Sequence, residues 1–99
     1  MTKEALLETF ARHGGECGMF HRVASPAHLR PDVCAFLMLD QVVPGGSRDR
    51  MIVAVDRYQI WLGVDLAALA AVATDDIVRD LVRCGVRVNV AEDSLAMLV

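Results

Sequence analysis

Residues 59–90, QIWLGVDLAALAAVATDDIVRDLVRCGVRVNV, decide the fold, because the spacing of apolar residues changes twice within them. Gln59 to Val64 reads as a strand. Ile60 and Leu62 share one face with Tyr58, and Gln59 and Trp61 point to the other, which sets Trp61 off the core face. Asp65 then offers a cap to a helix over Leu66 to Ala73, with Leu66, Leu69, Ala70 and Ala73 on its inner side. Thr74 offers a second cap, to a helix over Asp75 to Cys84. There Ile77, Val78, Leu81 and Val82 recur at helical spacing, and Asp75 and Asp76 suit the positive end of the helix dipole. Gly85 is a natural stop. Val86, Val88 and Val90 alternate with Arg87 and Asn89, the mark of a half-buried strand.

The same reading extends in both directions. Downstream, Ala91 to Ser94 turns the chain and Leu95 to Val99 forms a last apolar strand tied into a sheet. Upstream, Met51 to Val55 is a strand that Asp56, Arg57 and Tyr58 join to the next by a tight antiparallel turn, without an Asn-Gly or Asp-Gly pair. Pro44-Gly45-Gly46-Ser47 is a break, with Gly45-Gly46 a turn and Ser47 to Arg50 an exposed link. Pro31 opens a helix ending near Val43, almost apolar all round and so expected to be buried on most sides or pressed against a partner. Glu16 to Pro31 is the least regular stretch. Cys17 to Val23 reads as a short strand or a loop over the core, and Ser25-Pro26 as the start of a short helical turn. Thr2 caps the first helix, Lys3 to His13, with Leu6, Leu7, Phe10 and Ala11 as its apolar stripe, and Gly14-Gly15 ends it.

These elements give an α+β fold over a single domain, residues 1–99: about four helices packed on one side of short antiparallel hairpins. The expected core draws on Leu6, Phe10, Phe36, Leu37, Val53, Val55, Ile60, Leu62, Leu69, Ile77, Leu81, Val86, Val88, Leu95 and Met97. Whether the two hairpins form one sheet or two stays open at this level.

Composition narrows the function classes. Apolar residues are 55% of the 99, more than disorder-prone chains carry, and enough that some of them are expected to close an interface between copies. The ten basic and 13 acidic side chains leave a net charge of −3, with no run of Lys or Arg. A phosphate-binding surface is normally more lopsided. Three widely spaced cysteines, Cys17, Cys34 and Cys84, are no disulfide framework and point to reduced thiols. With no signal peptide and no apolar run long enough to span a bilayer, the expected location is cytoplasmic and no membrane partner is expected.

The order strand, short helix, second helix, closing hairpin from Gln59 onwards, preceded by a helix over Asp32–Val43, resembles a winged-helix arrangement over the C-terminal two-thirds of the chain. The resemblance is one of element order. It implies that Leu66, Leu69 and Ala70 lie on the first helix of a helix-turn-helix, that residues 75–84 form the recognition helix, and that Ala91 to Ser94 form the wing tip. Arg79, Arg83 and Arg87 would then be the nucleic-acid contacts. The sequence departs from the pattern in its short, glycine-free turn between the helices. It also departs in Asp75-Asp76, two carboxylates where phosphates would approach.

Two constellations hold ligand or nucleophile types. His13, Cys17, His21, His28 and Cys34 are residues that zinc prefers, but no Cys-x-x-Cys knuckle or close pair organises them. Cys34 reads better as a small buried hydrophobe. Cys17 is the candidate for a reactive thiol, with His13 or His21 as its base. The neighbouring Glu16 opposes a thiolate, however, and no oxyanion donors can be placed. No nucleophile, base and electrophile come together, so an enzyme is not the favoured reading and no cofactor is expected. The favoured class is a small accessory or regulatory protein working through protein–protein contacts, self-association included. Trp61, Phe20 and Met19 are its candidate anchors. The alternatives are a winged-helix-like DNA-binding protein and a Cys17-centred enzyme or zinc site.

Overall fold

Three of the helices begin on the side-chain caps that the sequence offers. Thr2 Oγ1 accepts from Ala5 N at 3.1 Å and opens α1 (Lys3–Arg12). Asp65 Oδ1 accepts from Ala67 N at 2.8 Å and opens α3 (Leu66–Val72). Thr74 Oγ1 accepts from Ile77 N at 3.2 Å and opens α4 (Asp75–Arg83). α2 (Pro31–Val42) starts on proline instead, whose fixed φ suits the first helical position. The strands are β1 (Ile52–Val55), β2 (Gln59–Leu62), β3 (Val86–Asn89) and β4 (Ser94–Leu98). This computed structural model describes residues 1–44 and 50–98. The expected Gly45-Gly46 turn, the start of the link at Ser47 and the last residue of the final strand, Val99, lie outside the described residues.

Both hairpins join one antiparallel sheet in the order β1-β2-β4-β3. Ile60 pairs with Met97 and Leu62 with Leu95 across β2 and β4, and Val86 and Val88 extend that face through β3. Ile60, Leu62, Leu95, Met97 and Val86 are buried there, with Val88 at the margin. They join Leu6 and Phe10 of α1, Cys34, Ala35 and Leu39 of α2, Leu66, Leu69 and Ala70 of α3, and Val78, Leu81 and Val82 of α4 in one hydrophobic cluster. The sequence order strand–helix–helix–hairpin is present as β2–α3–α4–β3–β4. α1 packs on both α3 and α4.

The first hairpin closes without Asn-Gly because Asp56 supplies the turn's bonds. Its Oδ1 accepts from Tyr58 N at 2.8 Å and Gln59 N at 3.0 Å, and its own N–H donates to Gln59 O at 2.9 Å. The second hairpin turns one residue earlier than expected. β3 ends at Asn89, whose side chain accepts from Glu92 N at 3.1 Å, so Val90 lies in the turn and is 72% exposed.

Several core assignments need correction. Val53 and Val55 are exposed, at 39% and 67%. Their strand lies at the sheet's margin, paired among the described residues on β2 alone, and all four of its residues are exposed. Leu37 is 46% exposed, because α2 turns Cys34, Ala35 and Leu39 inward and Leu37 lies away from them. Phe36 and Ile77 are only partly buried at the edge of the cluster. α2 is thus buried along one face and not on most sides. Cys17 to Val23 is not a strand. Single 3-10 turns at Gly14–Glu16 and Phe20–Arg22 carry the chain over α4, and Gly18, at φ 79°, donates to Val82 O at 3.3 Å. Ser25 starts no helical turn.

Candidate functional site

Burial separates the Cys and His residues of the N-terminal half. Cys34 is fully enclosed in α2. His21 and His28 are exposed, and His28 Nδ1 accepts from Arg30 N at 3.0 Å. His13 turns its ring to α4, with Nε2 3.0 Å from Asp75 Oδ1. Cys17 is exposed beside a cavity of about 390 Å³ between α1, α4 and β3, lined chiefly by Leu7, Phe10, Val82 and Val88. Among the described residues, no group of three His, Cys, Asp or Glu side chains is arranged to hold a metal, and neither His13 nor His21 hydrogen-bonds Cys17. Burial, and then the neighbouring Cys34, push the Cys84 thiol up to about 12.

The arginines of α4 already serve internal pairs. Arg79 reaches Asp76 at 3.2 Å and Asp80 at 3.6 Å. Arg83, 14% exposed, bonds Glu16 at 3.0 Å, donates to Arg22 O at 3.1 Å and lies 3.5 Å from Asp80. Asp80 is thus within ion-pair reach of both arginines but outside hydrogen-bond geometry. The Arg83 hydrogen bond, with help from Arg22, holds the Glu16 carboxyl below its ordinary range. Arg87 is exposed on β3 and donates to Gln59 Oε1 at 2.9 Å, passing over Ala96 on the intervening β4. Asp75 accepts from His13 and Arg12, and these two partners, His13 foremost, lower its carboxyl.

The sheet face opposite the core carries Gln59, Trp61, Ala96 and Arg87. Trp61 is half-buried there, beside a groove lined by Val53, Ala54, Glu92 and Ser94, and its Nε1 has no hydrogen-bond partner among the described residues. Phe20 and Met19 are also half-buried, with Phe20 packed against the core. Several apolar side chains are left in water around β1. Ile52, Val53 and Val55 of β1, Tyr58 of its turn and Leu98 at the end of β4 are all exposed, and Val55, Tyr58 and Leu98 lie at the turn end of the sheet. The sequence reading missed this patch by assigning Val53 and Val55 to the core. An uninterrupted Ile-Val-Ala-Val run has the same pattern in a strand covered on both faces and in one left bare at an edge. No protein-family model, curated protein or solved structure matches this chain.

Proposed function

We propose that the chain acts through contact with protein surfaces, its own included, as a small accessory or regulatory domain. The observation that carries this reading is β1, an edge strand of four consecutive exposed residues, Ile-Val-Ala-Val. Tyr58 in the following turn is exposed as well, and Leu98 is exposed beside Gln59 on the other face of the sheet. Apolar side chains in water on an uncharged edge strand are the kind of surface that protein contacts cover. Fully burying a Val, Leu or Ile side chain is worth roughly 1.5–3 kcal/mol. The test is sedimentation equilibrium over a wide range of concentration. A mass that rises toward a defined oligomer supports the reading. A constant monomer mass, with no protein recovered on immobilised chain, removes it.

DNA binding through residues 75–84 is the second reading, and the strand–helix–helix–hairpin order favours it. Against it, Arg79 and Arg83 are held by Asp76, Asp80 and Glu16, so freeing them for phosphates breaks existing pairs. Salt-dependent binding to duplex DNA would support that reading, and its absence at low salt would remove it.

A further inference from the structure

We propose that Cys34 and Cys84 form a redox clip: hydrogen peroxide joins the two thiols in a disulfide that fastens the start of α2 to the end of α4. This inference stands apart from the contact reading above and holds whether or not the chain self-associates.

The two helices bring a pair of buried thiols together. Cys34 ends the first turn of α2, on the face that also turns Ala35 and Leu39 to the core, and it is fully enclosed. Cys84 is the residue that closes α4, buried, with its N–H on Asp80 O at 3.0 Å and Leu81 O at 3.1 Å. Its thiol is within hydrogen-bonding reach of the Cys34 thiol. A second feature sets the same segments side by side. A cavity of about 370 Å³ is lined by Cys84 and by Pro31 and Asp32 of the first turn of α2, with Ile60, Met97 and Leu98 of the sheet completing the lining. Cys17 is exposed beside the other cavity, between α1, α4 and β3, and is no part of the pair. Among the described residues no third His, Cys, Asp or Glu joins Cys34 and Cys84 to hold a metal, which leaves a sulfur–sulfur bond as the chemistry open to them.

Hydrogen peroxide is small enough to enter by the cavity at Cys84. The thiolate of one cysteine attacks a peroxide oxygen, the O–O bond breaks, and a sulfenic acid and hydroxide form. The second sulfur gives up its proton and displaces hydroxide from the sulfenic sulfur. Two thiols and one peroxide become one disulfide and two waters. Burial, and then the neighbouring Cys34, push the Cys84 thiol up to about 12, so thiolate is scarce and the clip closes slowly, under sustained oxidation. Once closed, the bond encloses β1, β2, α3 and α4 in a covalent loop, and α2 can no longer leave the core by itself.

Treatment of the folded Cys17→Ser chain with hydrogen peroxide, then alkylation in denaturant, tests the pairing without the exposed thiol. The expected product takes up no alkyl group, yields Cys34 and Cys84 in one cross-linked tryptic fragment, and regains two alkylatable thiols after dithiothreitol. Amides of α2 from Ala35 to Leu39 should exchange at least about tenfold more slowly in the oxidised chain than in the reduced one. Two free thiols after prolonged peroxide, a sulfinic acid on either, or a disulfide between copies would overturn the pairing. A Cys34–Cys84 bond that leaves exchange in α2 unchanged would overturn the clip.

Discussion

Asp75 and Glu16 tie distant parts of the chain together through single carboxylates. Asp75, at the start of α4, receives His13 and Arg12 from the end of α1, and Glu16 receives Arg83 and Arg22. Both carboxyls are lowered in the folded chain, so protonation is harder there than in the unfolded one. The stability they contribute is therefore fully present above the unfolded carboxylate values of about 4 and is lost as pH falls through the lower folded values. The double variant Asp75→Asn with Glu16→Gln should lose less stability than the parent between neutral and acid pH, measured by urea unfolding. An identical acid loss in both would show that other carboxylates govern it. The residue types were legible in the sequence, but the partners were not. Glu16 and Arg83 are 67 positions apart, and no local pattern pairs them.

The elements separate into those set by local chemistry and those set by their surroundings. α4 combines a Thr74 cap, acidic first turn, basic last turn and Gly85 at φ 97° just past its end. Its limits were readable to within a residue for that reason. Thr74→Ala should cost about 1 kcal/mol in urea unfolding, the usual worth of such a cap, since Ile77 N–H loses its acceptor. A cost near zero would mean that water replaces the hydroxyl fully. β1 is the opposite case. Its apolar run was legible as a strand, but not whether anything covered it. The same holds for α2, whose nearly uniform apolar sequence gives no periodicity to say which face the core takes. Only packing decides that Leu39 is enclosed and Leu37 is not.

At the scale of the molecule, the irregular stretch between α1 and α2 is held to α4 by Arg83, through Glu16 and Arg22 O, and by Gly18 N–H on Val82 O. Arg83→Ala should release this stretch. Exchange of the Gly18 amide should quicken several-fold more than that of β4 amides, and trypsin should cut sooner after Arg22. Equal quickening everywhere would mean that Arg83 supports the whole fold and not this segment. Among the described residues, no helix is long and apolar enough to cross a membrane. The contacts proposed above form at the β1 margin of the sheet, where Val53, Val55 and Tyr58 are exposed.

The sequence by itself determined the α+β class, the four helices, the caps and stops that delimit them, and the alternation that sets Ile60 and Leu62 inward and Trp61 outward. Those features depend on neighbours within a turn or a strand, so residue spacing carries them. Tertiary structure alone decided that both hairpins form one sheet, that β1 lies at its rim with Val53 and Val55 in water, and that Arg83 closes on Glu16. Edge or centre, covered or bare, paired or free are relations between segments far apart in the chain. The same apolar run satisfies either alternative until its neighbours are in place.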